Sequence, residues 1–168
     1  MKSLVQLLLA NVWQTMRSTC VPLMRWRQSA EASNPIRILV AEDLAINQLI
    51  AVRMLERLGY HVALAANGQE VLEKLKLERF DLILMDCQMP QMDGYEASRA
   101  IRSSASPEWS KIPIVAFTAN TNPGDRERCL NSGMNDYVTK PVAVEDLARV
   151  LNRWVPIKSQ RSPRSAAS

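Results

Sequence analysis

Residues 36–59 read IRILVAEDLAINQLIAVRMLERLG, a short apolar run followed by a longer segment with helical periodicity. The run Ile36–Ala41 is apolar apart from Arg37, which is typical of a strand buried on both faces. In Ala45–Leu58 the apolar side chains recur at steps of three and four residues, and Gly59 supplies a stop signal. This segment predicts one β-strand followed by one amphipathic α-helix.

The same alternation of strand and helix repeats four more times along the chain. The further predicted strands are His61–Ala65, Asp81–Met85, Ile112–Phe117 and Tyr137–Thr139, and the further predicted helices are Gln69–Glu78, Tyr95–Arg102, Gly124–Asn131 and Val144–Trp154. Apolar strands separated by amphipathic helices indicate a parallel sheet that is covered on both faces. We therefore predict a doubly wound α/β domain with five helices, and a long loop over Ser103–Pro113.

The charge of the chain is divided unevenly between this domain and its ends. Lys and Arg outnumber Asp and Glu by 21 to 17 overall, but by 4 to 1 in residues 1–35 and by 3 to 0 in residues 156–168, which leaves 14 against 16 in residues 36–155. We predict a domain over 36–155, a basic N-terminal extension over 1–35 and a disordered basic tail over 156–168. Because the domain itself is mildly acidic, we expect no direct binding to nucleic acid.

The two ends and the cysteines bear on the location of the protein. No run approaches the roughly 18 apolar residues of a membrane-spanning helix, and three cysteines without a Cys-x-x-Cys spacing suggest neither a disulfide framework nor a zinc site. A reducing cytoplasm fits best.

Apolar residues at four-residue steps in the N-terminal extension allow an amphipathic helix with a weak membrane or partner contact, although a flexible extension is favoured. Those positions are Leu4, Leu8, Val12 and Met16.

Polar residues directly follow four of the five predicted strands. Glu42 and Asp43 follow the first strand, Asp86 the third, Thr118 the fourth and Lys140 the fifth. In an open α/β sheet the carboxyl ends of the strands form the ligand-binding edge, so these side chains should converge there. Three carboxylates without His or Cys favour a magnesium ion, Mg²⁺, and the nearby hydroxyl and ammonium groups suit a phosphoryl group.

Several of these residues also have a purely structural interpretation. Glu42 or Asp43, taken singly, could cap the helix that follows, although the adjacent pair facing Asp86 favours metal binding. Asp93 and its glycine neighbour form a turn signal. Cys87 should point into the core as a small apolar residue, with redox sensing as a remote alternative.

Four local strings, in order and at the right spacing, resemble the receiver domain of two-component response regulators. They are VAED at 40–43, MDCQMPQMDG at 85–94, FTAN at 117–120 and YVTKP at 137–141, and they are most similar to receivers of hybrid sensor histidine kinases. The resemblance covers the chain from about residue 36 to 154. It implies a flavodoxin-like, five-stranded parallel sheet in the order 2-1-3-4-5. Leu44 departs from the Asn that often follows the acidic pair in such receivers, but this change removes no metal ligand.

The resemblance assigns a phosphoacceptor and a metal site. Asp86 would attack the phosphohistidine of a partner and become an aspartyl phosphate. Asp43 would bind Mg²⁺ directly and Glu42 largely through water. Asp86 and the backbone carbonyl of Gln88 would complete the protein ligands.

The resemblance also implies a switch. Lys140 would pair with Asp86 before phosphorylation and with the phosphoryl oxygens afterwards, and the peptide bond before Pro141 would be cis. Thr118 would move toward the phosphoryl group while Tyr137 swings inward. These movements would couple the site to an effector face made by the fourth predicted helix, the fifth strand and the fifth predicted helix.

The implied partners are a sensor histidine kinase or a histidine phosphotransfer protein, with a downstream effector. The segments outside the domain are too short for a kinase or an output domain, so we expect a receiver alone, either a single-domain regulator or a piece of a larger kinase. One alternative is a degenerate receiver that serves only for docking. The other is a phosphatase with an Asp nucleophile, but that class requires a second Asp at position 88, where Gln88 stands.

Overall fold

The computed structural model describes residues 35–119 and 123–155. The strands are β1 (Arg37–Ala41), β2 (His61–Ala65), β3 (Leu82–Asp86), β4 (Ile114–Thr118) and β5 (Asp136–Thr139). The helices are α1 (Ala45–Arg57), α2 (Gly68–Leu77), α3 (Gly94–Arg102), α4 (Pro107–Lys111), α5 (Pro123–Asn131) and α6 (Val144–Trp154). All five predicted strands and all five predicted helices are present, with ends that shift by one or two residues.

The strands form one parallel sheet in the order β2-β1-β3-β4-β5, which confirms the predicted topology. The register pairs Ala41 with Met85, Asp86 with Phe117, and Thr118 with Thr139. The carboxyl ends of β1, β3, β4 and β5 therefore meet at one edge. This register, and not proximity in sequence, brings the polar residues together.

Each face of the sheet carries its own apolar core, because side chains alternate along a strand. One core joins the sheet to α1 and α6 through the buried side chains Ile38, Val40, Ala51, Leu55, Tyr60, Leu82, Leu84, Val115, Phe117, Val138, Leu147 and Leu151. The other joins it to the remaining helices through sixteen buried residues, among them Leu39, Ile83, Met85, Val71, Ile101 and Cys129. The sheet is therefore covered on both sides, as the two-faced apolar strands predicted.

The predicted fold class is confirmed, with one helix more than the five predicted: six lie within the described residues. The additional one is α4, which occupies part of the predicted loop Ser103–Pro113. Its sequence carries a short start signal: Ser106 at the N-cap position, Pro107 at the first helical position and Glu108 in the first turn. Arg102 donates hydrogen bonds to carbonyl oxygens in and just after this helix, those of Trp109, Ser110 and Ile112.

The predicted N-terminal extension, with its amphipathic alternative, and the predicted C-terminal tail lie outside the described residues, apart from Pro35. None of the helices in residues 35–119 and 123–155 is long and apolar enough to span a membrane.

Candidate functional site

The structure brings a cluster of three carboxylates to the carboxyl edge of the sheet. Glu42 and Asp43 directly follow β1, and Asp86 is the last residue of β3. One carboxylate oxygen of each lies within 4.8 Å of one oxygen of each other residue. Glu42 and Asp86 are buried, whereas Asp43 is exposed. Oxygen donors this close together are the ligand set that hard divalent cations such as Mg²⁺ take.

The acidic pair does not cap the helix that follows it. The N-cap position of α1 is held by Leu44, which makes no side-chain capping bond, and the first turn contains no acidic residue. Asp93, by contrast, caps α3: its Oδ1 accepts from the Glu96 backbone N–H at 2.7 Å, and the two residues form a capping box. The turn predicted at Asp93 is therefore structural, and the capping alternative for Glu42 and Asp43 is wrong.

Lys140 supplies the positive charge at the centre of the cluster. Its Nζ lies 2.5 Å from Asp86 Oδ2 and 2.5 Å from Glu42 Oε2, and 4.6 Å from the centroid of the Phe117 ring. Its backbone N–H donates to the Thr118 carbonyl oxygen at 2.8 Å. The peptide bond between Lys140 and Pro141 is cis, as predicted. One ammonium group is therefore shared by two buried carboxylates.

Glu42 is held from three further directions. Asn47 Nδ2 donates to Glu42 Oε1 at 2.7 Å, and Gln48 Nε2 donates to the Glu42 carbonyl oxygen at 2.6 Å. The Glu42 backbone N–H donates to the Ala65 carbonyl oxygen at 3.0 Å. Its side chain is fully buried. Both carboxylate oxygens thus have protein donors, and Asn47 and Gln48 tie the site to the first turn of α1.

Burial and charge act against each other at the central pair. Burial raises the pKa of the Asp86 carboxyl, and the hydrogen bond from Lys140 offsets only part of that effect. Burial alone would lower the pKa of Lys140, but its hydrogen bonds to Asp86 and Glu42 outweigh burial and raise it. Lys140 therefore stays charged, and additional positive charge nearby would favour the ionised form of Asp86.

The loop after β3 forms the open side of the site. The Gln88 backbone N–H donates to Asp86 Oδ1 at 3.1 Å. A groove of about 470 Å³ runs along this loop and is lined by Asp43, Cys87, Gln88, Met89, Pro90, Asp93, Tyr95 and Arg128. A ligand can therefore approach the cluster from solvent.

Of the two predicted switch residues, one lies at this edge and the other does not reach the cluster. Thr118, the last residue of β4, is buried. Tyr137 lies on the edge strand β5, where its side chain is 39% exposed and its ring centroid is 6.0 Å from the Arg126 guanidinium. The structure thus places Tyr137 on the outer surface between α5 and α6.

Sequence reasoning missed the part that four residues play at the site. It placed none of Asn47, Gln48 and the Phe117 ring at the site. It also treated Gly94 only as part of a turn, whereas an added Cβ there would lie 2.0 Å from the Asp86 carbonyl oxygen. The Asp-Gly pair before a helix is a local signal for the turn, but nothing local reveals that the helix starts against β3.

Comparison with known sequences identifies similar proteins. The family model described as the response regulator receiver domain matches residues 38–152. Hybrid signal transduction protein dokA of Dictyostelium discoideum is 43% identical over 129 residues, which make up 77% of this chain and 8% of that protein. Sensor protein GacS of Pseudomonas syringae pv. syringae is 40% identical over 124 residues, 73% of this chain and 14% of that protein. The chain spans only a small part of the length of these curated relatives.

Solved structures give the same fold. The receiver domain of sensor histidine kinase PA1611 from Pseudomonas aeruginosa PAO1, crystallised with a magnesium ion coordinated in its active site cleft, is 46% identical with a TM-score of 0.66. The match covers 71% of this chain and 97% of that one. A co-crystal structure of the Saccharomyces cerevisiae phosphotransfer protein Ypd1 and the receiver domain of Ssk1 matches with 36% identity and a TM-score of 0.65, covering 71% of this chain and 88% of that chain.

Proposed function

The chain belongs to the family of response regulator receiver domains, and from that premise we propose that it is a phosphoacceptor signalling module in which Asp86 takes a phosphoryl group from a phosphohistidine of a partner. The observation that carries this proposal is the geometry around Asp86. One of its oxygens is bonded to Lys140, the other faces the loop after β3, and two more carboxylates lie beside it. A nucleophilic carboxylate, an ammonium group and a site for a divalent cation are the components that phosphoryl transfer requires.

The residues present fit Mg²⁺. Three carboxylates and one ammonium group carry a net charge of minus two, which one divalent cation neutralises. We propose that Asp43, Asp86 and the backbone carbonyl of Gln88 hold the ion directly. Glu42, whose side chain is fully buried, would contact it through water. When bound, the ion offsets negative charge on the phosphoryl oxygens and favours the ionised form of Asp86.

The transfer itself uses groups of this chain. An oxygen of the Asp86 carboxylate forms a bond to phosphorus as the phosphorus–nitrogen bond to the histidine of the partner breaks, and the electron pair of that bond returns to the imidazole ring. The Lys140 ammonium, which pairs with Asp86 in this structure, then bonds to the phosphoryl oxygens. Thr118 donates its hydroxyl to the same group. The step requires positioning and charge neutralisation, which the fixed ends of the strands supply.

We propose that Thr118 moves toward the phosphoryl group and that this movement is transmitted to a face made by α5, β5 and α6. Tyr137 lies on that face beside a cavity of about 390 Å³, whose lining includes three arginines. They are Arg126, Arg149 and Arg153. An inward movement of Tyr137 would change the shape of this surface, on which the downstream effector would bind.

The start of α1 offers a docking surface for the phosphodonor. It carries four exposed apolar side chains next to the carboxylate cluster: Leu44, Ile46, Leu49 and Ile50. We propose that a helix of the partner histidine-bearing domain, from a sensor kinase or a phosphotransfer protein, covers this patch while its histidine reaches Asp86. The proximity of the patch to Asp43 supports this occupant. The free thiols of Cys87 and Cys129 are consistent with a reducing cytoplasm, where we propose that the module acts.

The two alternative functions have less support. The phosphatase alternative needs a general acid at position 88, where the exposed Gln88 has no titratable group. A degenerate receiver would have lost part of the site, whereas Asp43, Asp86, Thr118 and Lys140 are all present at the same edge.

Incubation with acetyl phosphate and Mg²⁺, followed by intact mass measurement, tests the proposal. We expect one acid-labile phosphoryl group on the native chain and none on Asp86→Asn. Asp146→Asn is the matched control, because this exposed carboxylate pairs with Arg149 on α6, away from the cluster. Labelling of Asp86→Asn, or no labelling of the native chain, would refute the assignment. Continuous phosphate release from unrelated monoesters would support the phosphatase.

A further inference from the structure

The side chains of two buried cysteines are in contact next to the proposed phosphoacceptor. Cys87 follows Asp86 in the chain, Cys129 belongs to α5, and their sulfur atoms are 3.7 Å apart although 42 residues separate them. Both side chains are 2% exposed, and neither forms a disulfide in this structure. A disulfide needs a sulfur separation of about 2.05 Å, so an approach of about 1.7 Å would allow the bond to form.

α5 is the element that can make this approach. Among its residues with described side chains, Cys129 alone is buried, whereas Cys87 continues from a central strand whose five residues are all buried. A helix that is anchored to the sheet through one buried side chain can shift at lower cost than a strand paired on both sides. Cys87 also lines the open groove beside Asp43 and Arg128, which gives a small oxidant a route to the pair.

We propose that Cys87 and Cys129 are a redox-sensitive pair, which a hydroperoxide converts to an intramolecular disulfide that fixes α5 against the phosphorylation site and slows phosphorylation of Asp86. The part that concerns Asp86 rests on the function proposed above. The bond itself is a covalent site independent of that function.

The chemistry balances with hydrogen peroxide as the oxidant. The Cys129 thiolate attacks a peroxide oxygen, the oxygen–oxygen bond breaks, and a sulfenic acid and one water result. The sulfur of Cys87 then attacks the sulfenic sulfur, the sulfur–oxygen bond breaks, and a second water leaves. The two thiols lose two electrons and two protons in total. The hydrogen bond from Cys87 lowers the pKa of the Cys129 thiol to about 7, which favours the reactive thiolate near neutral pH.

The bond would affect the site because Cys87 lies between two of its functional groups. Its neighbours in the chain are Asp86 and Gln88, and its thiol interacts with the side chains of Tyr95 and Thr118. Joining Cys87 to α5 would therefore oppose the movement of Thr118 toward a phosphoryl group and of α5 with it. A shift of about 1 Å at reacting groups lowers rates by up to about a hundredfold, so even partial displacement is measurable.

The test uses the full chain with Cys20→Ser, so that the third cysteine cannot pair with either thiol. After treatment with hydrogen peroxide, we expect loss of both free thiols in denaturant and a linked peptide that contains Cys87 and Cys129. After removal of peroxide, we expect acetyl phosphate to label Asp86 at least about fivefold more slowly, the lower end of allosteric coupling. Dithiothreitol should restore the rate.

The control carries Cys129→Ala in the same background, with Cys129→Ser as a second variant in case the first does not fold. Peroxide should leave its labelling rate unchanged, which separates the disulfide from methionine oxidation. No linked peptide from the native pair, or a linked peptide with an unchanged labelling rate, would overturn the proposal. Absence of labelling in the untreated, reduced protein would instead refute the phosphoacceptor function and the coupling with it, while the peptide map would still decide the disulfide.

Discussion

Gly94, at the first position of α3, lies against the backbone of the proposed phosphoacceptor. A Cβ on Gly94 would come 2.0 Å from the Asp86 carbonyl oxygen and 2.9 Å from Met85 Cγ, whereas real Cβ atoms essentially never come within 3.0 Å of a neighbour. Gly94→Ala therefore forces a displacement of about 1 Å or more, and the principal obstacle is a main-chain atom of a central strand. We expect the free energy of unfolding to fall by about 3 kcal/mol, the upper end of the usual cost of overpacking.

The same displacement should slow phosphorylation. Because the carbonyl that must move belongs to Asp86 itself, the carboxylate is moved relative to Lys140 and Asp43. A misplacement of about 1 Å costs up to about a hundredfold in rate. Urea unfolding measures the first effect, and the initial rate of acetyl phosphate labelling, followed by intact mass, measures the second.

Gly124→Ala is the matched control. Gly124 also lies in the first turn of a helix, but an added Cβ there meets no atom within 4 Å. Its replacement should leave labelling unchanged and raise stability by up to about 1 kcal/mol, the difference in helix propensity. If Gly94→Ala matched Gly124→Ala in both stability and labelling rate, the argument from close packing would be wrong.

Three further changes test other parts of the domain. Ser98 is fully buried, and its hydroxyl has no hydrogen-bond partner among the described residues. Ser98→Ala should therefore raise the free energy of unfolding, measured with urea, by about 1 kcal/mol. A decrease would contradict this. Lys140→Met leaves two buried carboxylates without their cation and should lower the free energy of unfolding by about 3 kcal/mol. Adding Glu42→Gln removes one of these charges and should recover part of the loss. No recovery would exclude the unpaired Glu42 carboxylate as a cause of the destabilisation. Burial raises the pKa of Asp86 above its ordinary 3.8, so its contribution to stability is full below pH 3.8 and is lost as the pH rises through the folded-state pKa. Without Mg²⁺ the native chain should therefore lose stability relative to Asp86→Asn across that window, and parallel pH curves for the two proteins would contradict this.

The sheet and the place of the site could be predicted because local signals determine both. A strand buried on both faces is a continuous apolar run, and a polar residue directly after it must lie at the carboxyl edge. Glu42 and Asp86 each follow such a run, and Lys140 follows the short edge strand β5, so their convergence needed only the parallel topology. The resemblance added the strand order, which periodicity alone does not give.

Other features could not be predicted because they depend on contacts between distant segments or on very short ones. Lys140 and Glu42 are 98 residues apart, and a fully buried carboxylate has no signature in a local pattern. The five residues of α4 are too few to show a helical period. Cys87 and Cys129 meet only because α5 places Cys129 in the core beside Cys87, so their separation in sequence suggested no pairing.

If the proposed function holds, the contacts of Glu42 would couple the chemistry of the cluster to the recognition of a partner. Lys140 can leave Asp86 for a phosphoryl group without leaving Glu42 unpaired, because Asn47 donates to the other Glu42 oxygen at 2.7 Å. Asn47 belongs to the first turn of α1, the same turn that carries part of the exposed apolar patch. A partner that docks on this turn, as proposed, would also hold the donor to Glu42 in place, and through Glu42 the position from which Lys140 would move. Three consecutive polar contacts, Asn47 to Glu42, Glu42 to Lys140 and Lys140 to Asp86, would thus link the proposed docking on α1 to the charge state of Asp86.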